Sequence, residues 1–236
     1  MNVVDGALVF VIAVAYPLLA FLTWPAFVRD ARAGKPGVRV RGFRQVIVSQ
    51  WSVALAIALY CAYEGRPWAA LGLDDSLGAT GWPWLAVLGV LAPFYGQLWQ
   101  LGRATAEQRA QARESLGELA ALLPHDRREL RLFLGVAFTA GCCEELFYRG
   151  YLPYLIGTWI PALSGTVWPL VVSTVVFGIG HSYQGWAGLV KATIGGAIAA
   201  AIVGWAGVLW PAMLLHALVD VNGGVTGWLL LRRAPQ

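Results

Sequence analysis

Glu144, Glu145, Arg149, His181, His216 and Asp220 are ionisable side chains set inside long apolar stretches. Such a group in hydrocarbon costs roughly 2.5–3.5 kcal/mol on insertion scales unless it finds partners. Spread over three runs, these side chains are expected to converge on one buried polar site. A carboxylate with two imidazoles and a second carboxylate suits water activation. Glu144 would take a proton from water, while His181 and His216 orient that water or stabilise an oxyanion. The same set suits a divalent metal such as zinc, with bound hydroxide as the nucleophile. Both routes hydrolyse an amide, and the residue types leave both open. The chain has no H-E-x-x-H, no G-x-S-x-G and no nucleotide-binding G-x-x-x-x-G-K-[ST].

Spacing divides the roles. On a helix Glu145 and Arg149 are four apart and share a face, so they are expected to form a structural ion pair. Glu144 points about 140° away from Arg149, free to act as the base. His216 and Asp220 lie one turn apart on one face, where Asp220 could fix a histidine tautomer or hold a water or metal. Gly178 and Gly180, just before His181, permit close helix approach. At about 1.5 Å per residue, Glu144 and His216 come out roughly 18 Å deep and His181 roughly 10 Å from the same side, so they can share a cavity.

These residues need a membrane to be buried in. The 236-residue chain is 58% hydrophobic and only 13% charged, where a soluble domain carries about 25% charge. Most of its surface is therefore expected to face lipid, and its tryptophans cluster near the ends of apolar runs, where indole prefers the interface. An all-α, polytopic transmembrane helix bundle follows, with spans near 3–27, 45–63, 82–101, 130–152, 165–182, 186–205 and 207–231. The last contains Asn222-Gly223-Gly224 and could divide into an eighth, but seven is favoured because an N-terminus outside and a C-terminus in the cytoplasm need an odd number. The first run is too long for a signal peptide and lacks a basic leader, so it reads as a retained span. Cys61, Cys142 and Cys143 have no disulfide or zinc-ribbon spacing.

The net charge of +4 reflects arginines between apolar runs, which points to topology and away from nucleic acid. Arg29, Arg32, Lys35, Arg39, Arg41 and Arg44 fill the first connection against Asp30. The second holds Arg66 with Glu64, Asp74 and Asp75. The third (102–129) is again arginine-rich, and Arg232-Arg233 follow the last run. The positive-inside rule puts the first and third connections and the C-terminus in the cytoplasm. Three parts result: N-terminal helices over 1–101, a cytoplasmic amphipathic helix and linker over 102–129, and a catalytic core over 130–231. Within the linker, 103–123 reads as one polar helix and Asp126 with Glu129 as a capping box. Lys191 is expected to snorkel.

In order, Glu144-Glu145-x-x-x-Arg149, Phe177-x-x-x-His181 and His216-x-x-x-Asp220 resemble the motifs of the CPBP family of intramembrane proteases, also called Abi. That family includes type II CAAX prenyl endopeptidases and bacteriocin-processing or immunity proteins. The resemblance covers about residues 127–222. It implies a helical membrane endopeptidase whose site lies within the bilayer. Glu144 would activate water, His181, His216 and Asp220 would assist, and Glu145 with Arg149 would support them. Asp220 stands where the CAAX-processing branch has Asn, so that branch's substrate preference and metal use do not transfer. The implied partners are the lipid bilayer and a membrane-associated peptide or protein: a prenylated tail, a leader or a C-terminal anchor. The implied location is a bacterial or archaeal cytoplasmic membrane. Rival readings are a non-proteolytic immunity or membrane binding protein and a proton-coupled transporter. The transporter is disfavoured because the ionisable set lies only in the second half.

Overall fold

The computed structural model describes residues 2–74 and 81–232. Asp75 and Arg233, which contribute to the charge pattern above, lie outside the described residues. Helices α1 (Val3–Phe10) and α2 (Tyr16–Arg32) form one rod through a π-turn at Val11–Ala15. Then come α3 (Val38–Tyr63), a 3₁₀ turn at Trp68–Leu71, α4 (Trp82–Arg103) and α5 (Ala106–Ser115). Helix α6 (Arg127–Glu145) continues through a second π-segment, Leu146–Tyr151, into α7 (Leu152–Trp159). Helices α8 (Trp168–Gly180), α9 (Gly185–Ala206) and α10 (Trp210–Leu231) complete the chain, and no strand occurs among the described residues.

The molecule is a helical membrane bundle. Val3–Arg32, Val38–Tyr63, Trp82–Arg103, Ser182–Ala206 and Trp210–Leu231 are long and apolar enough to cross a membrane by length and composition. Their outer faces carry large exposed apolar side chains, among them Leu22, Leu59, Leu88 and Trp186. Such faces suit lipid and would be costly in water. The α6–π–α7 rod is the bundle's centre. Its Phe147, Tyr151 and Leu155 are fully buried against Ile12, Ile57 and Phe177.

Both π-segments have the same cause. Each is followed by one residue and then a proline: Tyr16-Pro17 and Leu152-Pro153. Proline has no N–H to give and its ring crowds the carbonyl four residues back, so the preceding turn widens. The Tyr16 N–H accordingly bonds Val11 O, and the Leu152 N–H bonds Phe147 O, each five residues back. In the first segment the next carbonyl, Ile12 O, would need the N–H that Pro17 lacks. The Tyr148 hydroxyl supplies the missing donor at 3.1 Å.

Two details of the linker depart from expectation. The stretch 103–123 is not one helix: α5 stops at Ser115 and a 3₁₀ turn covers Gly117–Ala121. Gly117 sits at φ 53, a left-handed conformation that ends a helix. At the start of α6, Asp126 accepts from the Glu129 N–H at 2.8 Å as a cap should. The reciprocal arm reaches one residue further out, Glu129 Oε2 accepting from the His125 N–H at 2.8 Å.

Contacts sort to two ends of the bundle. At one, Arg39 Nε donates to Ala121 O at 2.9 Å and Arg113 Nε to Leu230 O at 2.9 Å, gathering the first and third connections and the end of α10. At the other, Arg66 bonds Asp5 and Trp210 Nε1 donates to Asp74 O at 3.0 Å.

Candidate active site

Helices α6 and α10 touch backbone to backbone at Gly141. A Cβ added there would lie 2.8 Å from Met213 O and Ala217 N. This approach, which only a side-chain-free residue allows, carries the acids of α6 onto the imidazole of α10 one turn further on. Glu145 Oε1 accepts from His216 Nδ1 at 2.8 Å and from Arg149 Nη1 at 3.2 Å. Arg149 is itself buried, with its guanidinium 4.3 Å over the Phe177 ring. Gly196 of α9 leaves the space that Nη2 occupies.

Pairing with Arg149 keeps Glu145 an acceptor, so Nδ1 of His216 carries the proton and Nε2 is turned toward the remaining acids. Nε2 stands 3.9 Å from Glu144 Oε2 and 3.8 Å from Asp220 Oδ2. Those distances exceed a hydrogen bond and bring the three atoms close enough for one water seated beside them to bridge. His181 closes α8, its Nδ1 donating to Phe177 O at 2.9 Å, which likewise leaves Nε2 for other partners. The two imidazoles flank one phenyl ring: Phe177 lies 4.5 Å from His181 and 6.1 Å from His216, centre to centre.

The fold thus places Glu144, Glu145, Arg149, His216 and Asp220 in one cluster, with His181 beside it across Phe177. The Glu145–Arg149 pair and the separate direction of Glu144 stand as their spacing implied. Asp220 does not hold the Nδ1 proton of His216; Glu145 does. On its own helix Asp220 runs alongside the ring and meets Nε2, while the close approach of α6 brings Glu145 to Nδ1. Cys143 is buried in the core and Cys142 half-buried, and both are free thiols.

A residue the motifs omit also reaches the cluster. Gln50 of α3 donates its Nε2 to Glu144 Oε1 at 2.7 Å. The available signal was a polar amide in mid-run of an apolar helix, the same anomaly that singled out the acids. As donor types, Glu144, His216 and Asp220 suit a divalent cation. Their spacing does not form a ligand cluster: among the described residues no group of three or more His, Cys, Asp or Glu is placed to hold a metal ion.

A helical membrane bundle enclosing two acids, an arginine and an imidazole–carboxylate pair defines an integral membrane protein with a polar site in its interior. Residues 127–222 match the family described as type II CAAX prenyl endopeptidase Rce1-like. That segment holds all six ionisable residues, and the match supports a likeness to the CPBP/CAAX protease family. No curated protein and no solved structure matches the chain.

Proposed function

We propose that this protein is an intramembrane endopeptidase in which Glu144 activates the attacking water. The observation that carries the reading is the gap bounded by Glu144 Oε2, His216 Nε2 and Asp220 Oδ2, with 3.9 and 3.8 Å across it. A water seated there gives one proton to Glu144 while its oxygen attacks the scissile carbonyl carbon. The C–N bond then breaks, and Glu144 returns the proton to the leaving nitrogen, giving a carboxylic acid and an amine, which pass one proton between them to end as carboxylate and ammonium. Set among Glu144, Glu145 and Asp220, the His216 ring acts as an imidazolium whose Nε2–H holds the water oxygen and then the oxyanion. Asp220 borders the gap from α10, and His181 lines the site from α8. Glu145 and Arg149 keep the His216 ring in its orientation.

The substrate class that fits is a membrane-associated peptide, such as a prenylated tail, a leader or a C-terminal anchor. The arginine-rich end, where Arg39 and Arg113 gather the connections, is cytoplasmic by the positive-inside rule, and the C-terminus lies there with it.

The test is cleavage of prenylated and membrane-anchored peptides by purified protein, with and without chelator. Glu144→Gln is expected to lower turnover by about 10²–10⁴-fold while leaving insertion and unfolding unchanged. Undiminished turnover in this variant would remove Glu144 from its role. Peptide binding without cleavage by the wild type would assign a binding protein instead.

A further inference from the structure

Gln50 lies outside the family-matched segment, yet its amide touches the carboxylate proposed as the base. A carboxylate offers only acceptors, so the amide must present its NH₂ to Glu144; flipped, two oxygens would face each other at 2.7 Å. That orientation sends Gln50 Oε1 to the other side, where it is buried with no hydrogen-bond partner. An apolar residue of similar size would avoid the orphaned acceptor altogether. The amide is therefore not explained by the packing of α3.

We infer that Gln50 is the positioning residue for the general base: it selects which oxygen of Glu144 acts and holds the carboxylate plane. With Oε1 bound to Gln50, Oε2 alone is turned to His216 Nε2 and the gap. Gln50 is fixed in turn by its neighbours on α3. The Tyr16 hydroxyl donates to Ser49 O at 2.5 Å, and Trp51 Nε1 donates to Thr139 Oγ1 of α6 at 3.0 Å. These bonds, on three successive residues of α3, set its register against α2 and α6. A carboxylate free to rotate would share its two oxygens between productive and unproductive orientations, which lowers turnover and leaves substrate affinity alone.

The inference rests on the function proposed above, and its test separates the two. Gln50→Met keeps the volume and removes the donor; Gln50→Asn keeps the amide and withdraws it by one methylene. Both are expected to lower kcat by about 10- to 100-fold with KM within about twofold of wild type. The infrared carboxylate band that Glu144→Gln abolishes is expected to shift in both variants. The thermal midpoint in detergent should hold, and if Gln50→Met fails to fold, Gln50→Asn answers the same question. Full kcat in a folded variant, a matching rise in KM, or an unmoved Glu144 band would each overturn the inference. An active wild type with indifferent Gln50 variants removes this inference alone; a wild type without peptidase activity removes the proposed function and this inference with it.

Discussion

Glu145 holds the site together because one of its oxygens serves two donors, Arg149 and His216, on two helices. Its other oxygen, Oε2, is buried without a partner, as are Nε and Nη2 of Arg149, so nothing nearby can replace a lost member of the pair. Removing one side of a buried ion pair strands the other charge and typically costs about 3–5 kcal/mol. Arg149→Ala is accordingly expected to lose that much stability in chemical unfolding, along with activity; an Arg149→Ala protein as stable as wild type would refute the pairing. Asp220→Asn should behave differently, since Glu145 still holds Nδ1 of His216. Its unfolding midpoint should stay in place while turnover falls less than in Glu144→Gln, a comparison that one peptide assay settles. The Glu145–Arg149 pair was legible in the sequence because four residues on a helix is a local relation. The partner of His216 was not, because it depends on how closely α6 and α10 approach, and Gly141 sets that approach without naming which acid benefits.

The helices explain that closeness. Gly141 brings α6 against the backbone of α10, and the π-segment that follows carries Tyr148 and Arg149 into the core against Phe177. Gly141→Val would push its side chain into Met213 O and Ala217 N, backbone atoms that cannot swing away. Overpacking of this kind costs about 1–3 kcal/mol, and a shift of about 1 Å in the reacting groups costs about 100-fold in rate. The variant is expected to show both losses; wild-type turnover in Gly141→Val would mean that the helix contact does not set the site. Tyr148→Phe should cost about 1–3 kcal/mol by orphaning Ile12 O, measured as a lower denaturant midpoint. The positions of most helices could be read from apolar runs, since burial in lipid demands length. The two π-segments could not be read that way. Their signal, a proline two residues beyond each, is the same one that usually marks a helix start, and only the continuing rods show otherwise.

The family-matched segment supplies the acids and imidazoles, yet the molecule that holds them in place begins well before it. Gln50 and Trp51 reach α6 from the second rod, Tyr16 joins the first rod to the second, and Asp5 ties the first to the central one. Arg66 binds Asp5 through two bonds of 2.7 Å, and the Tyr151 hydroxyl donates to the same carboxylate at 2.7 Å. Those bonds hold the guanidinium above its ordinary pKa, so it stays charged throughout. In the sequence, Asp5 is an acid in the first turn of an apolar run, where a carboxylate at the membrane boundary needs no explanation. Its partner lies in a connection 61 positions away, beyond any local pattern. The network shares no residue with the cluster around His216, so it should govern assembly and leave chemistry alone. Arg66→Met is expected to cost about 3–5 kcal/mol, since it strands the buried Asp5 carboxylate, and Asp5→Ala less, since the guanidinium it leaves is only half-buried. The double variant strands neither charge and should lose clearly less than the sum, giving a coupling of about 1–3 kcal/mol in a double-mutant cycle. Turnover per folded molecule should stay within about twofold in all three. Additive losses would mean that Asp5 and Arg66 contribute independently, and a fall in kcat without a fall in stability would make the N-terminal rod part of the catalytic apparatus itself.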